Sequence, residues 1–332
     1  MEFSISVLIP TQGRVPQLRR LLNGLAHQEK RECITHEIVV ANNAQDERTA
    51  TVVEGLVQSY GTGEPGRWLH LRELKPGKSR SLNAAIPRAK GKILAFLDDD
   101  VEVVPSWLGV TVDFFQKYSY DVMQGSILVP PAMQQDQRFL RLLQRYRTIC
   151  YYQKPGLEVR QIVSLNAANF ALRRELLART GLFDERIGPG ASGTSMDVEF
   201  GERVLHHGGT IGYEPQSVVY HDVDWSRLTE SYFRSRHEMQ GRSRLIYKQS
   251  SVAAVVGNLL RAIATFGLCA IVGNERKKYR AKGRIFHYRA MLGSAMRSVT
   301  QKPAAQPSSS PAIVSFAEKI VGPPRSTPEH HQ

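Results

Sequence analysis

Between Ile5 and Leu97 the chain repeats one pattern: a short apolar run, a stretch of helical periodicity, then another apolar run. Ile5–Ile9 reads as a buried strand ended by Pro10, followed by a helix around Gln17–Ala26. Glu37–Ala41 is a second strand, running into Asn42-Asn43-Ala44-Gln45-Asp46 and then a helix from Glu47 to Tyr60. A third strand, Trp68–Leu71, precedes the turn-rich Lys75-Pro76-Gly77-Lys78-Ser79, a helix around Ser81–Ala89 and a fourth strand, Lys92–Leu97. Strands alternating with helices imply a parallel, doubly wound sheet covered on both faces. Ligands of such sheets lie beyond the carboxyl ends of the strands. Pro10-Thr11, Asn42-Asn43 and Asp98-Asp99-Asp100 all fall at those ends, so three polar clusters share one edge.

The acidic cluster carries the most chemistry. Ile93-Leu94-Ala95-Phe96-Leu97 runs straight into Asp98-Asp99-Asp100. Adjacent carboxylates repel one another and persist best where a cation neutralises them. Extended backbone puts Asp98 and Asp100 on one side, where both could reach one Mg²⁺ or Mn²⁺. Such a metal bridges the two phosphates of a nucleotide diphosphate and stabilises it as a leaving group. A solvated acidic turn is the competing reading, and the buried strand leading into the triplet weighs against it.

Further along, Gly181-Leu182-Phe183-Asp184-Glu185 precedes the flexible Gly188-Pro189-Gly190-Ala191-Ser192-Gly193. Asp197-Val198-Glu199-Phe200 then opens a helix through Arg203 to His207. Glycines ahead of a carboxylate suit a loop that approaches a ligand closely, whereas a carboxylate at a helix start is also stabilised by the helix dipole alone. A short strand from Tyr213 ends in His221-Asp222.

In this order, Ser6-Val7-Leu8-Ile9-Pro10-Thr11, Gly77 through Asn83, and Ala89 through Asp100 resemble the family 2 glycosyltransferases over roughly residues 4 to 225. The resemblance implies the GT-A fold: an α/β, Rossmann-like, doubly wound and mostly parallel sheet, here with a C-terminal helical extension. It implies a nucleotide-sugar donor held by Pro10, Thr11, Gly13, Asn42, Lys78, Arg80, Asn83, Asp98 and Asp99. The metal, Mn²⁺ or Mg²⁺, then falls to Asp98, Asp100 and His221. Aligned with the acceptor-side motif of that family, Asp197 takes the position of the catalytic base. One base and no visible second nucleophile favour inversion at the anomeric centre.

Three positions depart from the family pattern. Asn42 stands where an aspartate usually binds the base, and its amide can accept from a uracil or thymine N3–H and also donate. Leu82 replaces the arginine usual before Asn83, leaving Lys78 or Arg80 to supply the positive charge. Met196 replaces the glutamate before Asp197. A nucleotidyltransferase is the alternative enzyme, but Pro10-Thr11-Gln12-Gly13-Arg14 is a poor version of the glycine-rich loop it needs. Asn42 and Met196 also prompt a catalytically inactive binding subunit, against which Asp197 and the intact acidic triplet argue.

The formal net charge of +13 favours an anionic partner: a membrane surface, a phosphorylated substrate or nucleic acid. No helix-turn-helix or zinc motif accompanies it, so nucleic acid is not expected. Cys33, Cys150 and Cys269 form no CxxC pair and fit a reducing compartment. Met1 to Ser6 lacks a basic region followed by an apolar core, and no signal peptide is expected. Residues 1–225 are therefore read as the glycosyltransferase domain, 226–300 as a basic helical region and 301–332, rich in Pro and Ser, as a disordered tail. Val252, Val255, Val256, Leu259, Leu260, Ile263, Phe266 and Ile271 recur at helical spacing between basic flanks. That pattern predicts a helix lying on anionic lipid, placing the protein in the cytoplasm at the inner face of the membrane with a glycan or lipid-linked acceptor. Val252 to Val272 is long enough to span, with Asn258 and Arg261 near its middle counting against that.

Overall fold

The computed structural model describes residues 4–62, 67–150 and 158–300. The tail expected over 301–332 lies outside the described residues. Up to Leu97 the described residues follow the expected alternation: β1 (Ile5–Thr11), α1 (Val15–Ala26), β2 (His36–Asn42), α2 (Glu47–Gly61), β3 (Trp68–Arg72), α3 (Lys78–Ala85) and β4 (Ile93–Leu97), with α3 starting at Lys78, inside the stretch expected to turn, and ending four residues before Ala89. Then follow β5 (Val101–Val103), α4 (Trp107–Lys117), β6 (Val122–Leu128), the one-turn α5 (Pro131–Gln134), α6 (Gln137–Tyr146), β7 (Arg160–Ile162) and β8 (Asn169–Arg173). The one-turn α7 (Leu177–Thr180), α8 (Met196–His206) and β9 (Ile211–His221) complete the sheet layer. Three helices follow among the described residues: α9 (Glu230–Tyr247), α10 (Val252–Ile271) and α11 (Glu275–Thr300).

The strands form one sheet in the order β3-β2-β1-β4-β8-β6-β9-β5, with β7 also on β9. β1 pairs in parallel with β2 and β4, and β6 with β9. β8 runs antiparallel between β4 and β6, so those two strands point the same way. Both faces are packed. Ile5, Val7 and Ile9 meet α1, α2 and α4 through Leu21, Val53 and Trp107 on one side. Leu8, Val39 and Phe96 meet α3 and α8 through Leu82 and Phe200 on the other. Phe96 stacks on Phe170 of β8 at 4.5 Å between ring centroids and meets Phe183 edge-on. Burying each such side chain contributes about 1.5–3 kcal/mol to holding the helices on the sheet.

A third cluster, with Phe139, Tyr146, Leu228 and Phe233 at its centre and Tyr279 and Phe286 against it, joins α6, α9 and α11. The core thus continues across the boundary expected at 225. α9 and α11 approach closely: a Cβ on Gly283 would collide with the His237 ring, and one on Gly241 with the His287 carbonyl. α10 packs on α11 through Val255, Ala262 and Cys269, one side of the helix. The expected stripe is therefore split: Val255 faces α11, while Val252, Val256, Leu260, Ile263 and Ile271 are exposed. By helical spacing Val252, Val256, Leu260 and Ile263 lie opposite Asn258, whereas Leu268, also exposed, shares the side of Arg261. Among the described residues α10 is the one helix long and apolar enough to cross a membrane, with a mean hydropathy of 1.8 and 17% of its apolar window buried.

Candidate active site

A cavity of about 750 Å³ opens at the carboxyl ends of β1, β4 and β9. β1 ends at Thr11 and delivers Gly13 and Arg14, while β4 delivers Asp98, Asp99 and Asp100. β5 begins directly after the triplet and pairs antiparallel with β9, Val101 opposite His221. That ladder sets the imidazole beside Asp100, its Nε2 3.4 Å from Oδ1. His221 Nδ1 lies 2.8 Å from the Asp222 carbonyl oxygen. A carbonyl only accepts, so Nδ1 carries the hydrogen and Nε2 is the atom turned to the carboxylates. One ligand atom from each of Asp98, Asp100 and His221 falls within 4.8 Å of the others. Asp100 Oδ1 is buried without a hydrogen-bond partner, a costly state that a cation relieves. Two carboxylates and an imidazole suit Mn²⁺ or Mg²⁺, so the residues fit a divalent ion.

The triplet divides, but not by the extended geometry expected: Asp99 and Asp100 lie in the turn between β4 and β5. Asp99 is buried and turned inward, accepting from Thr11 Oγ1 at 2.6 Å and from Arg14 at 2.5 Å. Arg14 forks across to Asp100, and Lys78 pairs with Asp98. Burial pushes the Asp99 carboxyl up to about 6, against the pull of Arg14 and Thr11. Burial acts the same way on Asp100 but is outweighed by His221, Arg14 and Lys78, which hold it below the usual carboxylate range. Gly13 is required where it stands: φ is +97°, and a Cβ would collide with Thr49 Cγ2.

Of the residues anticipated from sequence, Pro10, Thr11, Gly13, Lys78, Asp98, Asp99, Asp100, Asp197 and His221 all line this cavity. Three do not. Asn42 is fully buried and turned away: its amide donates to the Ala50 carbonyl at 2.9 Å, and its Oδ1 accepts from the Ala44 backbone at 3.1 Å. As neighbours at a strand end the two asparagines face differently, and Asn43 is the one at the cavity. Asn43 braces the following loop, donating to the Glu73 and Lys75 carbonyls and accepting from Gly77 N. Asn83 donates to the Phe183 carbonyl and accepts from its N–H, and Arg80 pairs with Glu185 at 2.9 Å. Both hold the 183–185 turn, which leaves Lys78 as the cation of this loop at the cavity. Arg14 is the principal residue not anticipated. Its signal was its place four residues beyond Pro10, on the loop leaving β1 at the same edge as the triplet.

The facing wall is made of loops and helices. Asp197 sits in the first turn of α8, behind the 188–195 loop. Ser195 precedes α8 with φ +74°, the one described non-glycine residue in the left-handed region, a strain that surrounding structure must hold in place. The Asp197 carboxylate accepts from Val198 N at 2.9 Å and Ala167 N at 3.1 Å, which fixes its direction. Met196, beside it, is buried in the core that covers α8. Ser79 Oγ donates to the Ile187 carbonyl at 2.7 Å and Lys78 N to the Pro189 carbonyl at 2.9 Å, tying the first turn of α3 to the loop that leads to Asp197.

A mixed, mostly parallel sheet with a polar cavity beyond its strand ends, where an acidic edge faces a helix-start carboxylate, is the architecture of the GT-A fold. The chain belongs to glycosyl transferase family 2, whose sequence model matches residues 6–181. It is 25% identical to the succinoglycan biosynthesis protein ExoM of Rhizobium meliloti over 86% of this chain and 89% of that one. Over 68% of its length it is 26% identical to the O-antigen biosynthesis protein RfbC of Myxococcus xanthus, of which it spans 18%. Among solved structures it resembles the mannosyltransferase PcManGT from Pyrobaculum calidifontis in complex with GDP-Man and Mn²⁺, at TM-score 0.52 and 16% identity, over 95% of this chain and 79% of that one. S. aureus TarS 1–349 in complex with UDP gives 0.51 and 14%, over 92% and 94%. These structural likenesses establish the fold.

Proposed function

We propose that the protein is an inverting, metal-dependent hexosyltransferase that moves a sugar from a nucleotide-diphosphate sugar to a hydroxyl of a glycan or lipid-linked acceptor, in cell-surface polysaccharide synthesis. The observation that carries this reading is the convergence of Asp98, Asp100 and His221 on one point of a cavity that Asp197 also lines. PcManGT, solved with GDP-Man and Mn²⁺, supports the donor and metal class, and ExoM and RfbC support a polysaccharide product. Asp98, Asp100 and His221 would hold Mn²⁺ or Mg²⁺, which when bound supplies positive charge to the departing diphosphate. Lys78 and Arg14, on the same wall, add fixed positive charge beside the phosphates. Asp197, its carboxylate aimed by two backbone N–H groups, takes the proton of the acceptor hydroxyl as that oxygen attacks the anomeric carbon. With one base and direct displacement, configuration inverts.

Residues 226–300 in this reading hold the enzyme at the cytoplasmic face of a membrane. The exposed apolar face of α10 on a chain of net charge +13 supports an anionic lipid surface as its occupant. A screen of nucleotide sugars for slow, metal-dependent hydrolysis tests the enzymatic core, because it needs no acceptor. One donor should be hydrolysed with Mn²⁺ or Mg²⁺ and spared with chelator, whereas hydrolysis of none would leave the inactive binding subunit.

A further inference from the structure

α9 carries four arginines, and they are not equivalent. Arg234 and Arg242 pair with Glu238 at 2.7 and 3.9 Å, and Arg244 with Glu202 at 3.5 Å. Arg236 lines the cavity and, among the described residues, has no carboxylate partner. Its one described hydrogen bond is a long one, 3.4 Å from Nη1 to the Gly193 carbonyl in the loop ahead of Asp197. On the strand wall, by contrast, Arg14 and Lys78 are each matched to carboxylates. Tyr232, Met239 and Gln240 line the cavity with Arg236, at the spacing of one helix stripe.

The helix that carries this guanidinium is tied to the loop that leads to Asp197. Ser243 Oγ donates to Ser192 Oγ at 2.7 Å, lacing α9 to the 188–195 loop. Gly193, at φ +99°, lies so close to α9 that a Cβ would meet Met239 Sδ at 2.6 Å. α9 is itself held from behind by α11 through the Gly241 and Gly283 contacts. A half-buried arginine without a matched acid is poorly compensated until an anion arrives. Its planar fork fits two oxygens of a phosphate better than a lone alkoxide or hydroxyl.

We propose that Arg236 forms an anion subsite on the acceptor side, and that the acceptor carries a phosphate group near the hydroxyl it offers to Asp197. This rests on the glycosyltransferase reading for the word acceptor, while the subsite itself rests on α9. The shared chemistry is a phosphate ester, whether on a soluble sugar phosphate or on a lipid-linked glycan.

The test uses the full chain with Mg²⁺ and a saturating nucleoside diphosphate, so that the strand wall is filled. Methyl phosphate is titrated and followed by ³¹P NMR, with acetate titrated as competitor. The wild type should bind methyl phosphate, and Arg236→Gln should weaken it about tenfold or more, as removal of a charge-assisted contact requires. Arg236→Lys should recover part of the loss, since it keeps charge without the fork. Nucleoside diphosphate affinity should be equal in all three proteins, which also shows that the variants fold. Undiminished methyl phosphate binding in Arg236→Gln overturns the subsite. A parallel loss of nucleoside diphosphate affinity overturns its acceptor-side assignment, and acetate binding as tightly as methyl phosphate overturns the phosphate class. Given the subsite, transfer to a sugar 1-phosphate and to lipid-linked glycan in vesicles separates the two sources. If no nucleoside diphosphate binds at all, the function proposed above fails, and methyl phosphate on the protein alone still decides the subsite.

Discussion

The two walls of the cavity are built by different means. The strand wall hangs on ladders of fully buried residues, and its charges are crowded and cross-matched: Asp99 to Thr11 and Arg14, Asp100 to Arg14 and His221, Asp98 to Lys78. The helix wall hangs on a glycine-rich loop, a strained Ser195 and a stripe of α9, and its Asp197 and Arg236 are not paired with each other or with other side-chain charges among the described residues. A crowded, rigid edge suits a ligand of constant chemistry, a diphosphate with its metal. A wall of loop and helix side chains can be changed residue by residue without disturbing the sheet, which suits the partner that sets specificity.

Substitutions on each wall should therefore fail differently. The largest effect is expected at Asp197. Asp197→Asn keeps shape and backbone contacts but takes no proton, so transfer should fall about a hundredfold or more while calorimetry finds nucleoside diphosphate binding intact. Near-normal turnover would remove Asp197 from the chemistry. On the opposite wall His221→Ala should lower Mn²⁺ affinity about ten- to a hundredfold, by analogy with losses around other metal sites. Loss of turnover in that variant with Mn²⁺ affinity unchanged would mean that the imidazole only braces Asp100.

Arg14→Ala should act first on stability, because it strands Asp99 in the interior. The cost of about 1–3 kcal/mol for an uncompensated buried group should appear as a melting temperature several degrees lower at pH 7. In the fold Asp99 titrates near 6, above its ordinary 3.8. The folded state therefore binds the extra proton between those values, and this group's contribution to stability falls as pH rises through them. The Arg14→Ala deficit should shrink as pH drops from 7 to 5, since neutral Asp99 no longer needs the guanidinium. A deficit independent of pH would assign Arg14 to packing alone.

The smallest effect on catalysis is expected from the far end of the helical region. Leu260→Glu with Ile263→Glu, both exposed on α10, should release the protein from anionic vesicles in a sedimentation assay and leave donor hydrolysis as it was. High salt should release much of the wild type as well, because headgroup attraction is screened. Salt-resistant binding that yields only to detergent would mean a spanning helix.

The strand wall was legible in the sequence because its signals are local. Apolar runs ending at Thr11 and Leu97 announce both the sheet and the edge on which Asp98 and Asp100 sit. Side-chain direction at a strand end was not legible, which is why Asn42 was expected where Asn43 stands. Asn83 and Arg80 were expected at the ligand because the local pattern places their segment near the strand ends but does not show Phe183 and Glu185, about a hundred residues away, which hold these two side chains of α3. The middle of the chain gave little: β6 and β8 are buried and antiparallel to each other, and nothing local marks the insertion of β8 between β4 and β6. Arg236 was visible only as one of a basic run. Its separation from Arg234, Arg242 and Arg244 depends on where Glu238 and Glu202 fall in space.

In the proposed function the acidic edge binds a nucleoside diphosphate through a divalent cation, and calorimetry on the wild type and Asp100→Ala decides whether it does. Titrating GDP and UDP with Mn²⁺ should give binding of at least one by the wild type, lost on adding chelator and lost in Asp100→Ala even with Mn²⁺ present. Equal binding with and without chelator, or equal binding by the variant, would rule out a metal bridge between Asp100 and the diphosphate.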